Sequence, residues 1–79
     1  MKLNQLAPNF HELQTPDYKV YFSYQTPIAV AYESEVVIRE NEWSKTTAKH
    51  IKMVPVPDGH KVYRGLTSRN FMTILGKLI

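Results

Sequence analysis

With 79 residues, of which 43% are hydrophobic, 22% charged and none cysteine, the chain reads as one small globular domain that disulfides cannot staple. A domain this size buries only about 60 to 65% of the surface its unfolded chain exposes, so self-association is one source of further burial open to it. The net charge of +3 hides two unlike halves: residues 1–42 carry Lys2, Lys19 and Arg39 against six acids, whereas residues 43–79 carry seven cations (Lys45, Lys49, Lys52, Lys61, Arg64, Arg69, Lys77) against Asp58 alone.

At the start of the chain, Asn4, Gln5 and Pro8 break the sequence before an apolar run develops, unlike a signal peptide. No window approaches the roughly 18 to 20 apolar residues that a membrane span needs, so no membrane role is expected and a cytoplasmic location is. Residues 1–17 leave two readings open: Pro8 begins a short helix through Phe10 and Leu13, or the stretch lies extended against a sheet edge.

From Tyr18 to Arg39 the pattern predicts a β-meander. Tyr18, Val20, Phe22 and Tyr24 alternate with Lys19, Tyr21 and Ser23 at the period of two of a half-buried strand. Gln25-Thr26-Pro27 interrupts this run, Ile28 to Tyr32 supplies a second strand, and Glu33-Ser34 is a tight polar break before Glu35-Val36-Val37-Ile38-Arg39. Links this short join antiparallel neighbours.

The segment from Trp43 to Lys52 gathers an indole, the hydroxyls of Ser44, Thr46 and Thr47, and the cations Lys45, Lys49 and Lys52, with His50 among them. Hydroxyls and cations are the usual donors to phosphate oxygens, and an indole is a stacking surface for an unpaired base. The plainer reading makes Trp43 a core anchor at a strand end, the threonines β-formers and the lysines a solvated face. Extended, the stretch would place Thr47, Lys49, Ile51 and Met53 on one side and Thr46, Ala48, His50, Lys52 and Val54 on the other, neither cleanly basic; as a loop, its cations could converge.

Pro57-Asp58-Gly59 is a turn with a mechanism, because proline presets φ, aspartate caps locally and glycine accepts positive φ. It predicts a hairpin over residues 50–65, with arms at about His50 to Val56 and His60 to Gly65. Phe71, Ile74, Leu75 and Leu78 then follow the i, i+3, i+4, i+7 stripe of an amphipathic helix over 68–78, with Thr67 or Ser68 as its N-cap. The expected fold is therefore α+β: a single domain with an antiparallel sheet of about five short strands, meander plus hairpin, and one C-terminal helix.

Two strings stand out together, Tyr21-Phe22-Ser23-Tyr24-Gln25-Thr26-Pro27-Ile28-Ala29-Val30 and Arg39-Glu40-Asn41-Glu42-Trp43-Ser44-Lys45-Thr46-Thr47-Ala48-Lys49-His50. Over about residues 18 to 54 the chain resembles a family of small uncharacterised proteins of phages, prophages and other mobile elements, with Ala48 where that family is expected to carry glycine. The resemblance implies an origin, and with it a host-cell cytoplasm, but no mechanism.

Catalysis has little to stand on. His11, His50 and His60 have no serine, cysteine or carboxylate in a recognised arrangement around them, and a metal site would need all three to converge. With only Gly59, Gly65 and Gly76 there is no glycine-rich phosphate cradle. Neither an enzyme nor a cofactor is expected. The leading expectation is a nucleic-acid binder with little sequence preference: Lys45, Lys49, Lys52, Lys61, Arg64 and Arg69 contact phosphates with help from Thr46, Thr47 and His50, while Trp43 and Tyr21 stack on bases. Tyr21 enters because it falls on the strand face opposite Val20 and Phe22, which the C-terminal helix would leave uncovered. The alternative is a module that docks onto or inhibits a host protein, using the acids Glu33, Glu35, Glu40 and Glu42 around the third meander strand.

Overall fold

The computed structural model describes residues 1–41 and 44–78. Within them one sheet holds its strands in chain order: β1 (Lys2–Ala7), β2 (Phe10–Gln14), β3 (Tyr18–Ser23), β4 (Thr26–Tyr32), β5 (Glu35–Arg39) and β6 (Lys61–Leu66). Helix α1 (Lys45–Met53) connects β5 to β6, and α2 (Ser68–Leu78) follows β6.

Strands β1 to β5 are antiparallel neighbours. The meander over 18–39 forms, with one shift: the first turn is Tyr24-Gln25, Tyr24 at φ 58, so Thr26 and Pro27 begin β4 instead of interrupting the run. Its second turn places Glu33 and Ser34 both in the left-handed region, at φ 47 and 63, which matches the twist of a two-residue hairpin. Residues 1–17, open between helix and extended chain, form the hairpin of β1 and β2, with Leu3 opposite Leu13 and Asn4 opposite Glu12.

Two expectations are corrected. The predicted hairpin over 50–65 does not exist: residues 50–53 belong to α1, and β6 pairs parallel with β5, Val36 opposite Val62 and Val37 opposite Tyr63. A helical crossover carries the chain back to the starting end of β5, which is what parallel pairing requires. There Lys61 N donates to Ser34 O at 3.0 Å, and at the far end Glu40 N donates to Leu66 O at 2.8 Å. The Pro-Asp-Gly turn is real but ends a loop: His60 N donates to Pro57 O at 3.1 Å and Gly59 has φ 84. The α+β class stands, with one strand and one helix more than expected.

The helices cover opposite faces of the sheet. One layer packs Phe10, Tyr21, Ile28, Ala29, Val36 and Ile38 beneath Ile51 and Val54 at the end of α1. The other packs Val20, Val30 and Val37 beneath Phe71 and Leu75 of α2. Strand alternation sends successive side chains into the two layers. The α2 helix is started by Thr67, whose Oγ1 accepts from Asn70 N at 3.2 Å. Arg39 ties it to the sheet: its guanidinium lies 5.7 Å from the Phe71 ring centroid and donates to Ser68 Oγ and Pro27 O, each at 3.2 Å.

Candidate nucleic-acid interface

Helix α1 builds the site. Ser44, with extended backbone at φ −151, is its N-cap, and its Oγ accepts from Thr47 N at 3.2 Å. Asn41 Nδ2 donates to Ser44 O at 3.0 Å and braces the cap from outside. At the other end Val54 N donates to Ile51 O at 3.3 Å.

The inner stripe of α1 is Thr47, His50, Ile51 and Val54, at i, i+3, i+4 and i+7. Its polar members are satisfied in the core: Ser23 Oγ, from β3, lies 2.7 Å from His50 Nδ1 and 3.2 Å from Thr47 Oγ1, and the His50 ring stacks on Phe10 at 5.2 Å between centroids. A hydroxyl beside an imidazole is the spacing of nucleophile and base. With Ser23 1% exposed and His50 3% exposed, the pair serves here to fasten α1 to the sheet.

The outer stripe is Lys45, Lys49 and Lys52, at i, i+4 and i+7, all exposed. At 1.5 Å of rise per residue the three span roughly 10 Å along the helix. Among the described residues no side-chain hydrogen bond or ion pair engages any of them. Glu35, at the beginning of β5, falls on the α2 face, opposite the one that α1 covers, while Glu42 lies outside the described residues.

The remaining predicted contacts divide between the two faces. Parallel register sets Tyr63 beside Val37 on the α2 face, so Arg64, next along β6, alternates to the α1 face. Lys61 falls opposite Glu35 on the α2 face, and Arg69 belongs to the first turn of α2. The six predicted phosphate contacts therefore do not share one surface: Lys45, Lys49, Lys52 and Arg64 lie on one side, Lys61 and Arg69 on the other. Thr46 is exposed beside the lysines. Thr47 and His50, at 4% and 3% exposed, are corrected from ligand contacts to core anchors.

Tyr21 is corrected in the same way. The C-terminal helix does cover Val20, but the opposite face is covered too, by α1 and the residue after it, and Tyr21 is 2% exposed. Burial, then the hydrogen bond and negative charge of Glu12, push its phenol above the ordinary range, so it stays protonated and donates to Glu12. It offers no face to a base. Trp43 lies outside the described residues. The histidines stay apart: His11 in β2, His50 in α1 and His60 in the loop before β6, and among the described residues no group of His, Cys, Asp and Glu gathers to hold a metal ion.

A family model described as a family of unknown function, DUF8033, matches residues 1–69. The chain belongs to this family. No curated protein and no solved structure matches it. The DUF8033 match takes in β1 to β6 and the lysine stripe of α1, and stops within the first turn of α2, before Phe71 and Leu75. No helix among the described residues is long and apolar enough to cross a membrane.

Sequence reasoning missed Ser23, the capping role of Ser44 and the helical state of 45–53. The signals were there in part: a serine immediately ahead of the stripe, and apolar or threonine residues at helical spacing.

Proposed function

We propose that the protein binds nucleic acid with little sequence preference, as an accessory protein of a phage or other mobile element. The observation that carries this reading is the exposed row of Lys45, Lys49 and Lys52 on α1, free of carboxylate partners among the described residues. Arg64 on the same side of the sheet adds a fourth cation. Three ammonium groups on one rigid face are point charges suited to a row of phosphates, and the lack of base-reading amides among them favours backbone contact over sequence readout. The mobile-element origin rests on the likeness of the aromatic strand and the Asn-Glu-Trp-Ser stretch.

Fluorescence anisotropy with labelled duplex and single-stranded oligonucleotides tests the reading. Affinity should fall linearly on a double-logarithmic plot against salt, with a slope of about −0.9 per phosphate neutralised on duplex and about −0.7 on single strands. Absence of binding to any DNA or RNA at low salt refutes it.

A second reading, docking onto a host protein, is favoured by the edge strand β1. Its residues Leu3 and Leu6 are 64% and 43% exposed and Lys2 is its one charge, whereas the opposite edge, β6, carries Lys61 and Arg64; both edges have a register shift. An edge with a single charge at its start is a template for an added strand, from a partner or a second copy. Nuclease-treated pull-down with light scattering separates the two: a stoichiometric protein complex that survives high salt supports docking.

A further inference from the structure

Past the C-terminal end of α1, the loop to β6 lines one side of a half-open cavity of about 270 Å³ on the sheet. Its lining includes Glu12 of β2, Lys19 and Tyr21 of β3, Asp17 and Glu33 from the two neighbouring turns, and His60 from the loop above. In a chain of net charge +3 this one recess presents three carboxylates against a single lysine.

Glu12 is only 7% exposed, and a carboxylate that deep is normally set against a cation. Here its partners are neutral donors: Gln14 Nε2 at 2.8 Å, Asn4 Nδ2 at 3.5 Å, and the phenol of Tyr21. No Lys or Arg among the described residues forms an ion pair with it, Lys19 included. Among the described residues no cation answers this buried carboxylate. Independently, Nδ1 of His60, a residue that also lines the recess, is shut off from solvent and has no hydrogen-bond partner among the described residues.

We propose that this cavity binds a primary ammonium or guanidinium group, whether on a small free amine or on the lysine or arginine side chain of a basic peptide. Its volume is below that of pockets for drug-sized molecules and suits a group of side-chain size. Glu12 supplies the buried countercharge, Asp17 and Glu33 draw the cation to the rim, and the Tyr21 ring offers a wall for its apolar stem. The site is separate from the lysine stripe and takes a ligand of opposite sign, so its failure would leave the nucleic-acid reading untouched.

Amide-detected NMR titration of the full chain tests it, with methylguanidine, butylamine, an acetylated arginine amide and a short lysine- and arginine-containing peptide as probes, and butanol and sodium chloride as controls. Saturable shifts at Glu12, Tyr21 and Ala31 with the cations but not with the controls are expected, and Glu12→Gln should weaken binding at least about tenfold. A peptide that binds far more tightly than butylamine identifies a peptide source; equal affinity identifies a small amine, and both support the site. Absence of saturable shifts, identical shifts with butanol or salt, or unchanged affinity in E12Q overturns it. Should E12Q fail to fold, the rim variant D17N/E33Q replaces it: several-fold weaker binding supports the proposal, and unchanged binding overturns it.

Discussion

Replacing Ser23 by alanine removes one hydroxyl from the point where α1 is fastened to the sheet. Ser23 is the described partner of His50 Nδ1, at 2.7 Å, and it also reaches Thr47 Oγ1 at 3.2 Å. Thr47 keeps a second hydroxyl, Ser44 Oγ at 3.4 Å, so its loss is partial, whereas His50 Nδ1 is left buried without that bond. An unsatisfied buried polar group costs about 1 to 3 kcal/mol, and the volume removed is too small to add a cavity of consequence. Each kcal/mol moves the thermal midpoint of a domain this size by about 4 to 8 °C. Circular dichroism melts and urea titrations of wild type, S23A, H50F and S23A/H50F would measure it. His50→Phe keeps a ring to stack on Phe10 and removes the nitrogen, so S23A should cost far less in that background. An S23A midpoint equal to wild type, or the same penalty with and without the imidazole, would refute the idea that this network anchors the helix.

Other consequences of the fold are open to measurement. Phe71, fully buried beneath Arg39 and at the centre of the α2 layer, should cost about 3 to 5 kcal/mol when cut to alanine, a large part of the stability of so small a domain, and urea unfolding reads it. Gly59, at φ 84 with open space around it, should lose about 1 to 2 kcal/mol on substitution by alanine from backbone strain alone, seen as a lower thermal midpoint. For Tyr21 the folded phenol holds its proton above the ordinary range, so the unfolded chain ionises first as pH rises. Its stabilising contribution is then complete below pH of about 10 and lost above it. Denaturation followed across alkaline pH should show a shallower decline in Y21F than in wild type; parallel declines would count against the Tyr21–Glu12 contact.

The parts of this fold that could be read from the chain are those where one physical signal dominates. Alternation from Tyr18 to Ser23, β-branched runs at 28–32 and 35–39, and the Phe71–Leu78 stripe each specify their element with little competition. Helix α1 escaped because half its inner stripe is polar: Thr47 and His50 are buried by hydrogen bonding to Ser23, and a partner 24 or more residues away is not visible as periodicity. With strand and loop as the readings weighed for 46–54, the extended one put Lys49 and Lys52 on opposite faces, when helical geometry collects them with Lys45 on one. The β1–β2 hairpin was obscured by Asn4, Gln5, Glu12 and Gln14, polar residues at positions where an edge pair is half exposed. The error over 50–65 came from taking a sound turn as proof of a hairpin; the chain on its near side was already helical. Charge was the poorest guide, since the cations after residue 43 are contiguous in sequence yet separated by the sheet, while Glu12, Asp17 and Glu33, distant in sequence, meet at one recess.

The central claim is that the outer row of α1 is the surface that meets phosphate. Lys45, Lys49 and Lys52 can be changed together to glutamine, which preserves helix propensity and removes three charges. Comparing the salt dependence of duplex binding for K45Q/K49Q/K52Q and wild type is the direct measurement: the slope should shrink in magnitude by about 2 to 3, with affinity at low salt reduced accordingly. A folded triple variant that binds with the wild-type slope and affinity would contradict the account.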